Sequence, residues 1–458
     1  MDSTLACLAA WMPRQRWYAA KGRPPSLRLV SWWDLPSHEA GADVRVRTFL
    51  VADEGALPTV LYQIPVVARA TETVTADPAH VIGSPEPGTV FIDGPFDPAY
   101  TSALLQLVLR GGDAFGPQTV AVGHHTGLVA SEESPTGRVV TGEQSNTSVI
   151  YADARIPVIC KVYRQLHGGF NPDIELQTAL ADDGSPRVPR TIGWVEGTWP
   201  DLATAHGTVN GSLAFAQEFL PDVDDAWRAA LLSAARGVDF HEPAFALGTA
   251  TAEVHLALGH LFPTRPASPA DRRDTAATWA RRLAIAIAEV PEIAERREAA
   301  ESVYHRALEV DWPPLQRIHG DYHLGQVLEV PGRGWVLLDF EGEPMRPMLE
   351  RIRPDLALRD VAGMLRSFDY VAGSLRLDDP ERSPQTMREW ARGARQAFVS
   401  GYAAATGTTL DPRHPLLAAL ELDKAVYEAT YEARNRPTWV AIPLRAIARL
   451  VERPAAVA

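Results

Sequence analysis

A histidine, an aspartate two residues later, an amide five residues after that and a second aspartate thirteen residues further on constrain this 458-residue chain more than any other feature. The run is His319-Gly320-Asp321-Tyr322-His323-Leu324-Gly325-Gln326, followed by Asp339-Phe340-Glu341. Between them, Gln326–Val330 and Gly334–Leu338 are short apolar segments around the turn residues Pro331-Gly332-Arg333-Gly334, a pattern that predicts a hairpin ending on Asp339. Such a hairpin gathers a carboxamide and a carboxylate as oxygen ligands for a hard divalent cation, and leaves Asp321 to orient a hydroxyl. Phosphoryl transfer needs little more covalent chemistry from a protein, because positioning and charge neutralisation do most of the work. An ordinary hairpin with a capping aspartate and a buried histidine would not require this joint spacing.

The order of residues is that of protein kinases, H-x-D-x-x-x-x-N, with Gln326 in place of the asparagine. Upstream residues extend the pattern. Val158-Ile159-Cys160-Lys161 ends a β-branched run, so Lys161 is the candidate for a strand-borne lysine over the phosphates. Asn171-Pro172 opens a helix with acids in its first turn, and Glu175 is the expected partner of Lys161. Thr141–Ser148 lies where a phosphate-covering turn belongs. It lacks the glycine pattern, so the hydroxyls of Ser145, Thr147 and Ser148 would replace close backbone approach, unless the segment is simply a polar turn. Ala214–Leu220 reads as a strand ahead of Pro221, which makes Gln217, Glu218 and Phe219 the expected hinge against adenine. Gln326 and Asp339 are the expected magnesium ligands and ATP the phosphate donor.

Composition narrows the partners. Lys and Arg total 44 against 57 Asp and Glu, a net charge of −13 that argues against nucleic acid or an anionic membrane as the principal partner. The two cysteines, Cys7 and Cys160, form no metal-binding or disulfide pattern. An acidic N-terminus and the absence of a long apolar run predict a cytoplasmic protein without a membrane span.

The chain divides into three expected parts. Residues 1–93 read as a short helix and alternating β segments, a β-rich cap; 94–222 hold the phosphate-loop, lysine and hinge candidates; 223–458 are mostly helical. The helical pattern predicts segments over 225–262, 274–309, 356–375 and 386–406, and a final helix over 415–435. On that last helix, Lys424, Tyr427, Glu428, Tyr431 and Arg434 recur at spacings of three and four. They form either a polar aromatic face suited to a sugar or a solvated face of paired charges.

Seven motifs resemble the bacterial maltokinases: Arg14-Gln15-Arg16-Trp17-Tyr18-Ala19, Glu143–Val149, Asn171–Leu176, His319–Leu328, Asp339-Phe340-Glu341-Gly342-Glu343-Pro344, Arg359–Phe368 and Glu421–Glu428. The resemblance implies an α+β, bilobal protein-kinase-like fold similar to aminoglycoside phosphotransferases, with a β-rich N-terminal cap. It implies ATP- and Mg²⁺-dependent transfer of phosphate to the anomeric hydroxyl of maltose, giving α-maltose 1-phosphate for α-glucan synthesis. Association with an enzyme that converts trehalose to maltose would follow. Asp321 would be the catalytic base, Lys161 would bind phosphate with Glu175 orienting it, and Gln326 and Asp339 would hold magnesium. The terminal helix and the catalytic-loop neighbourhood, with His319, His323 and Glu341, would meet the sugar. Two other readings stay open: a kinase of the same fold for another sugar or amino sugar such as glucosamine, and a catalytically silent binding module.

Overall fold

The computed structural model describes residues 2–36, 44–74, 76–128, 135–140, 146–204, 206–343, 346 and 348–452. They group into two compact units, one of Met1–Thr178 with Pro189–Pro221, the other of Ala179–Val188 with Asp222–Ala458.

The N-terminal unit is built on two antiparallel sheets. The first is six-stranded, running Leu27–Leu35, Arg45–Asp53, Val60–Ala70, Thr89–Asp93, Val81–Glu86, with Gln165–Leu166 added to Val60–Ala70. Successive side chains of a strand point to opposite faces. Val46, Leu50 and Ala52 accordingly join one apolar cluster while Phe49 and Val51 join another, which includes Leu8, Trp11, Trp17 and Tyr18. Burial on both faces explains why these strands carry near-continuous apolar runs. The second sheet has seven strands, ordered Asp113–Gly116, Thr119–His125, Thr191–Pro200, Thr208–Glu218, Val158–Tyr163, Asn146–Tyr151, Arg138–Val139. Helix Pro98–Arg110, capped by Asp97 and closed by the left-handed Gly111, contributes to the cluster shared by both sheets.

A few buried polar groups tie the two sheets together. Arg164 is fully buried and donates to both carboxylate oxygens of Asp93 at 2.8 Å, with its guanidinium 5.1 Å from the Trp17 ring centroid. Gln63 Nε2 donates to the Tyr163 carbonyl at 2.7 Å and the Leu213 carbonyl at 2.8 Å. Buried groups of this kind require partners, so the expected cap is fastened to the second sheet by specific contacts as well as by apolar packing.

Among the described residues of the C-terminal unit, the regular structure is helical apart from the hairpin Val327–Val330 with Gly334–Leu337, which the sequence predicts. Three helical expectations need correction. The segment over 225–262 is two helices, Ala226–Arg236 and His241–Leu261, because Gly237 adopts a left-handed φ of 68° and ends the first. The segment over 274–309 is divided into Pro269–Glu289 and Arg297–Glu309, with a 3₁₀ turn from Pro291 between them. The helix Pro415–Asn435 is not the last, since Ala441–Val451 follows it. Among the described residues, no helix is long and apolar enough to cross a membrane.

Helices His241–Leu261 and Pro384–Thr406 meet backbone to backbone. A Cβ on Gly248 would lie 2.0 Å from the Phe398 carbonyl oxygen, and one on Gly401 would lie 2.0 Å from that of Phe245. Gly401→Ala should therefore lower stability by about 1–3 kcal/mol through overpacking, read as a reduced denaturation midpoint. An unchanged midpoint would contradict this packing.

Candidate active site

In the N-terminal unit, Lys161 lies on strand Val158–Tyr163, paired with Ser148 on one side and Phe215 on the other. Its Nζ donates to Asp173 Oδ2 at 2.9 Å. Asp173 is 1% exposed and precedes Glu175 by two residues on helix Pro172–Asp182, so the expected helix turn supplies a further acid to Lys161. Glu175 is half-buried on the same helix.

The hydroxyl expectations change. Thr147 and Ser148 are buried inside strand Asn146–Tyr151, and Thr147 Oγ1 accepts a hydrogen bond from Arg164 Nε at 2.9 Å. Thr147 is thus part of the Arg164 contact between the sheets, a correction to its place in a phosphate turn. Ser145 lies outside the described residues. At the strand end, Gln217, Glu218 and Phe219 are half-buried, and the Glu218 and Phe219 amides donate to Arg190 O and Pro157 O. The Glu218 carboxylate pairs with Arg190 at 2.8 Å, and Gln217 Oε1 accepts from Gln177 Nε2.

In the C-terminal unit, the catalytic-loop candidate is fixed from beneath by Asp360 on helix Leu358–Asp378. The buried Asp360 carboxylate accepts the His319 amide at 2.8 Å and the Gly320 amide at 2.9 Å, and lies 3.0 Å from His255 Nε2. Gly320 has a left-handed φ of 86°. One turn along the helix, a Cβ on Gly363 would lie 2.5 Å from the Tyr322 carbonyl oxygen, and further on Ser367 Oγ accepts the Leu324 amide at 3.1 Å.

This support leaves Asp321 half-buried, with Lys424 Nζ 3.1 Å from its Oδ1. Lys424 also donates to the buried Glu343 at 2.9 Å. Burial alone would lower the pKa of Lys424, but Glu343 and Asp321 raise it well above the ordinary value. Burial would likewise push Glu343 up, yet Lys424, Arg346 and Arg282 hold its carboxyl well below the usual range. Gln326 Nε2 donates to Asp339 Oδ2 at 2.9 Å, as the hairpin predicts, and Asp339 sits at a left-handed φ of 65°. That conformation is costly for a non-glycine residue, and such backbones cluster at functional sites. Arg351, which no motif spacing marks, faces the charges of Glu341, Asp321 and Asp339.

Asp321 and Lys424 line a cleft of about 440 Å³ in this unit. His323, Tyr427, Glu428 and Tyr431 line it as the sequence predicts, and Trp227, Ser367, Tyr370, Glu432, Arg436 and Trp439 are additions. Tyr370 donates to Glu432 at 3.0 Å and stacks on Trp439, while Arg436 lies over the Trp439 ring at 4.6 Å. Gly363, Ser367 and Tyr370 follow one helical stripe, a legible signal that sequence reasoning left unused.

Three substrate candidates fall elsewhere. His319 is buried, with Nε2 2.8 Å from the Leu338 carbonyl oxygen and Nδ1 facing the Asp321 amide at 3.4 Å, so it shapes the loop. Arg434 is exposed and paired with Glu289. Glu341 is half-buried and outside the lining of this cleft. His323 lines the cleft and also accepts the Gly325 amide at 3.1 Å; burial pushes its imidazole below the usual value, despite the nearby Asp321 carboxylate.

The chain is similar to several known proteins. Residues 11–97 match the maltokinase N-terminal cap domain and residues 136–416 match the phosphotransferase enzyme family. A glucosamine kinase of Mycolicibacterium smegmatis (strain ATCC 700084 / mc(2)155) is 31% identical over 359 residues, covering 73% of this chain and 85% of its own. A glucosamine kinase of Streptacidiphilus jiangxiensis is 31% identical over 331 residues, covering 66% of this chain and 72% of its own. A solved glucosamine kinase in complex with glucosamine, ADP and inorganic phosphate shares the fold, with a TM-score of 0.67 at 24% identity over 97% of this chain and 98% of that one. The α+β phosphotransferase fold with a β-rich cap, expected from the sequence, is therefore established, and the chain belongs to the phosphotransferase enzyme family, with a maltokinase N-terminal cap domain ahead of the phosphotransferase region.

Proposed function

We propose that this phosphotransferase is an ATP- and Mg²⁺-dependent sugar kinase whose acceptor binds in the aromatic cleft beside Asp321. The observation that carries the reading is the Asp321 carboxylate at the wall of a cleft whose other walls are Trp227, Tyr370, Tyr427, Tyr431 and Trp439. Aromatic faces pack against the C–H surfaces of sugars, while carboxylates and hydroxyls take their O–H groups.

Asp321 accepts the proton of the acceptor hydroxyl as its oxygen bonds to the γ-phosphorus and the bond to the leaving ADP oxygen breaks. Lys424 holds the Asp321 carboxylate in one orientation through the 3.1 Å contact. Lys161, an ammonium positioned by Asp173, offsets phosphate charge. Gln326 and Asp339 present adjacent amide and carboxylate groups, a hard-oxygen donor pair suited to Mg²⁺, which when bound neutralises phosphate charge.

Two acceptors have specific support. Glucosamine is favoured by the 31% identity to two glucosamine kinases. Maltose, with its anomeric hydroxyl as acceptor, is favoured by the cap-domain match and by five aromatic side chains, which can cover more than one sugar ring.

ATP consumption across glucosamine, maltose, glucose, trehalose and an aminoglycoside, with the phosphorylated position read by ³¹P NMR, tests the reading. Phosphorylation of glucosamine or maltose supports it, and transfer to none of the sugars overturns it. Asp321→Asn should lower kcat by about 10²–10⁴-fold while nucleotide binding stays near normal by calorimetry. Near-unaltered turnover would remove Asp321 from the role of base.

A further inference from the structure

Helices Leu358–Asp378, Pro384–Thr406 and Ala441–Val451 contribute the lining of a second cavity, of about 610 Å³, that shares no lining residue with the aromatic cleft. Its floor is apolar and buried, formed by Ala372, Met387, Ala391, Ile442 and Ala446. Six arginines line it, Arg376, Arg388, Arg392, Arg395, Arg445 and Arg449, against two acids, Asp369 and Glu389.

Charge accounting separates these arginines into two groups. Arg395 and Arg449 are neutralised: Glu421 lies 2.9 Å from the first and 2.8 Å from the second, and Asp369 contacts both. Asp369 is shared further with Arg366 at 2.6 Å, and Glu389 accepts from Gln385 at 3.0 Å. Arg376, Arg388, Arg392 and Arg445 make no ion pair with any described residue. Arg376 Nε is buried without a hydrogen-bond partner. Burial and the like charge of Arg376 push the Arg445 guanidinium below its ordinary value.

Four uncompensated guanidiniums around an apolar floor, in a chain of net charge −13, form a local field opposite in sign to the whole. Guanidinium forks match phosphate oxygens in bidentate pairs, and an apolar floor accepts a flat or aliphatic body. We propose that this cavity is a second binding site, for a small organic phosphate with an apolar face, nucleoside monophosphates being the simplest members of that class. The phosphate engages Arg376 and Arg445, the body lies on Met387 and Ile442, and Arg388 and Arg392 attract the anion from the rim. The inference is independent of the sugar acceptor and of the roles of Asp321 and Lys161.

Calorimetry on the full-length chain with AMP and with inorganic phosphate tests it. AMP should bind more tightly than inorganic phosphate, and its affinity should fall at least tenfold in Arg376→Gln/Arg445→Gln. Arg388→Glu/Arg392→Glu, which alters exposed side chains only, should weaken it in the same direction. The arginine-dependent component should persist in Lys161→Ala. Equal AMP affinity in the unaltered chain and both arginine variants would overturn the site, as would absence of AMP binding or its loss in Lys161→Ala. Equal affinity for AMP and inorganic phosphate would overturn the assignment to organic phosphates.

Discussion

The site in the C-terminal unit depends on one buried carboxylate. Asp360 accepts the amides of His319 and Gly320 and lies against the His255 ring, so it fixes the backbone of the two residues before Asp321. A carboxylate removed from water needs such donors, and charge-assisted bonds to backbone amides are among the stronger ones available. The same helix stripe continues the support: Gly363 admits the Tyr322 carbonyl, Ser367 receives the Leu324 amide, and Tyr370 reaches the cleft. One face of one helix therefore sets the candidate catalytic loop and part of the adjoining wall.

A second layer of charge acts on the side chain. Lys424 bridges Asp321 and Glu343; Glu343 also meets Arg282 at 3.3 Å and Arg346 at 3.0 Å, and Arg282 meets the buried Asp423 at 2.7 Å. Arg359 joins Asp423 to Asp355. Buried ion pairs are poor sources of net stability because desolvation offsets their attraction. Their consequence here is orientational, since each charge has its partners in fixed positions and Asp321 is held by a lysine that is itself held.

Much of this was legible because the chemistry follows local spacing. The loop, the Gln326–Asp339 pair across the hairpin, Lys161 on its strand and the Lys424–Tyr431 face all come from short offsets or from one helical period. What escaped depends on tertiary pairing. Nothing local singles out Asp173 as a partner of Lys161, assigns Thr147 to Arg164, or draws Arg434 to Glu289 on another helix. Asp360 lies within a quoted motif, but its use as an acceptor for amides forty residues away has no sequence period. The breaks at Gly237 and Pro291 were different, because both residues carry a local signal that the longer apolar pattern obscured.

Asp360 is what positions the loop bearing the proposed base. The direct measurement is kcat for Asp360→Asn, with the thermal midpoint and nucleotide affinity recorded on the same preparation. An asparagine keeps the volume and removes the charge that holds two amides, so kcat should fall by about 100-fold through misplacement of Asp321, with the nucleotide affinity little changed. A folded variant with unaltered kcat would show that the Asp360 charge does not position Asp321.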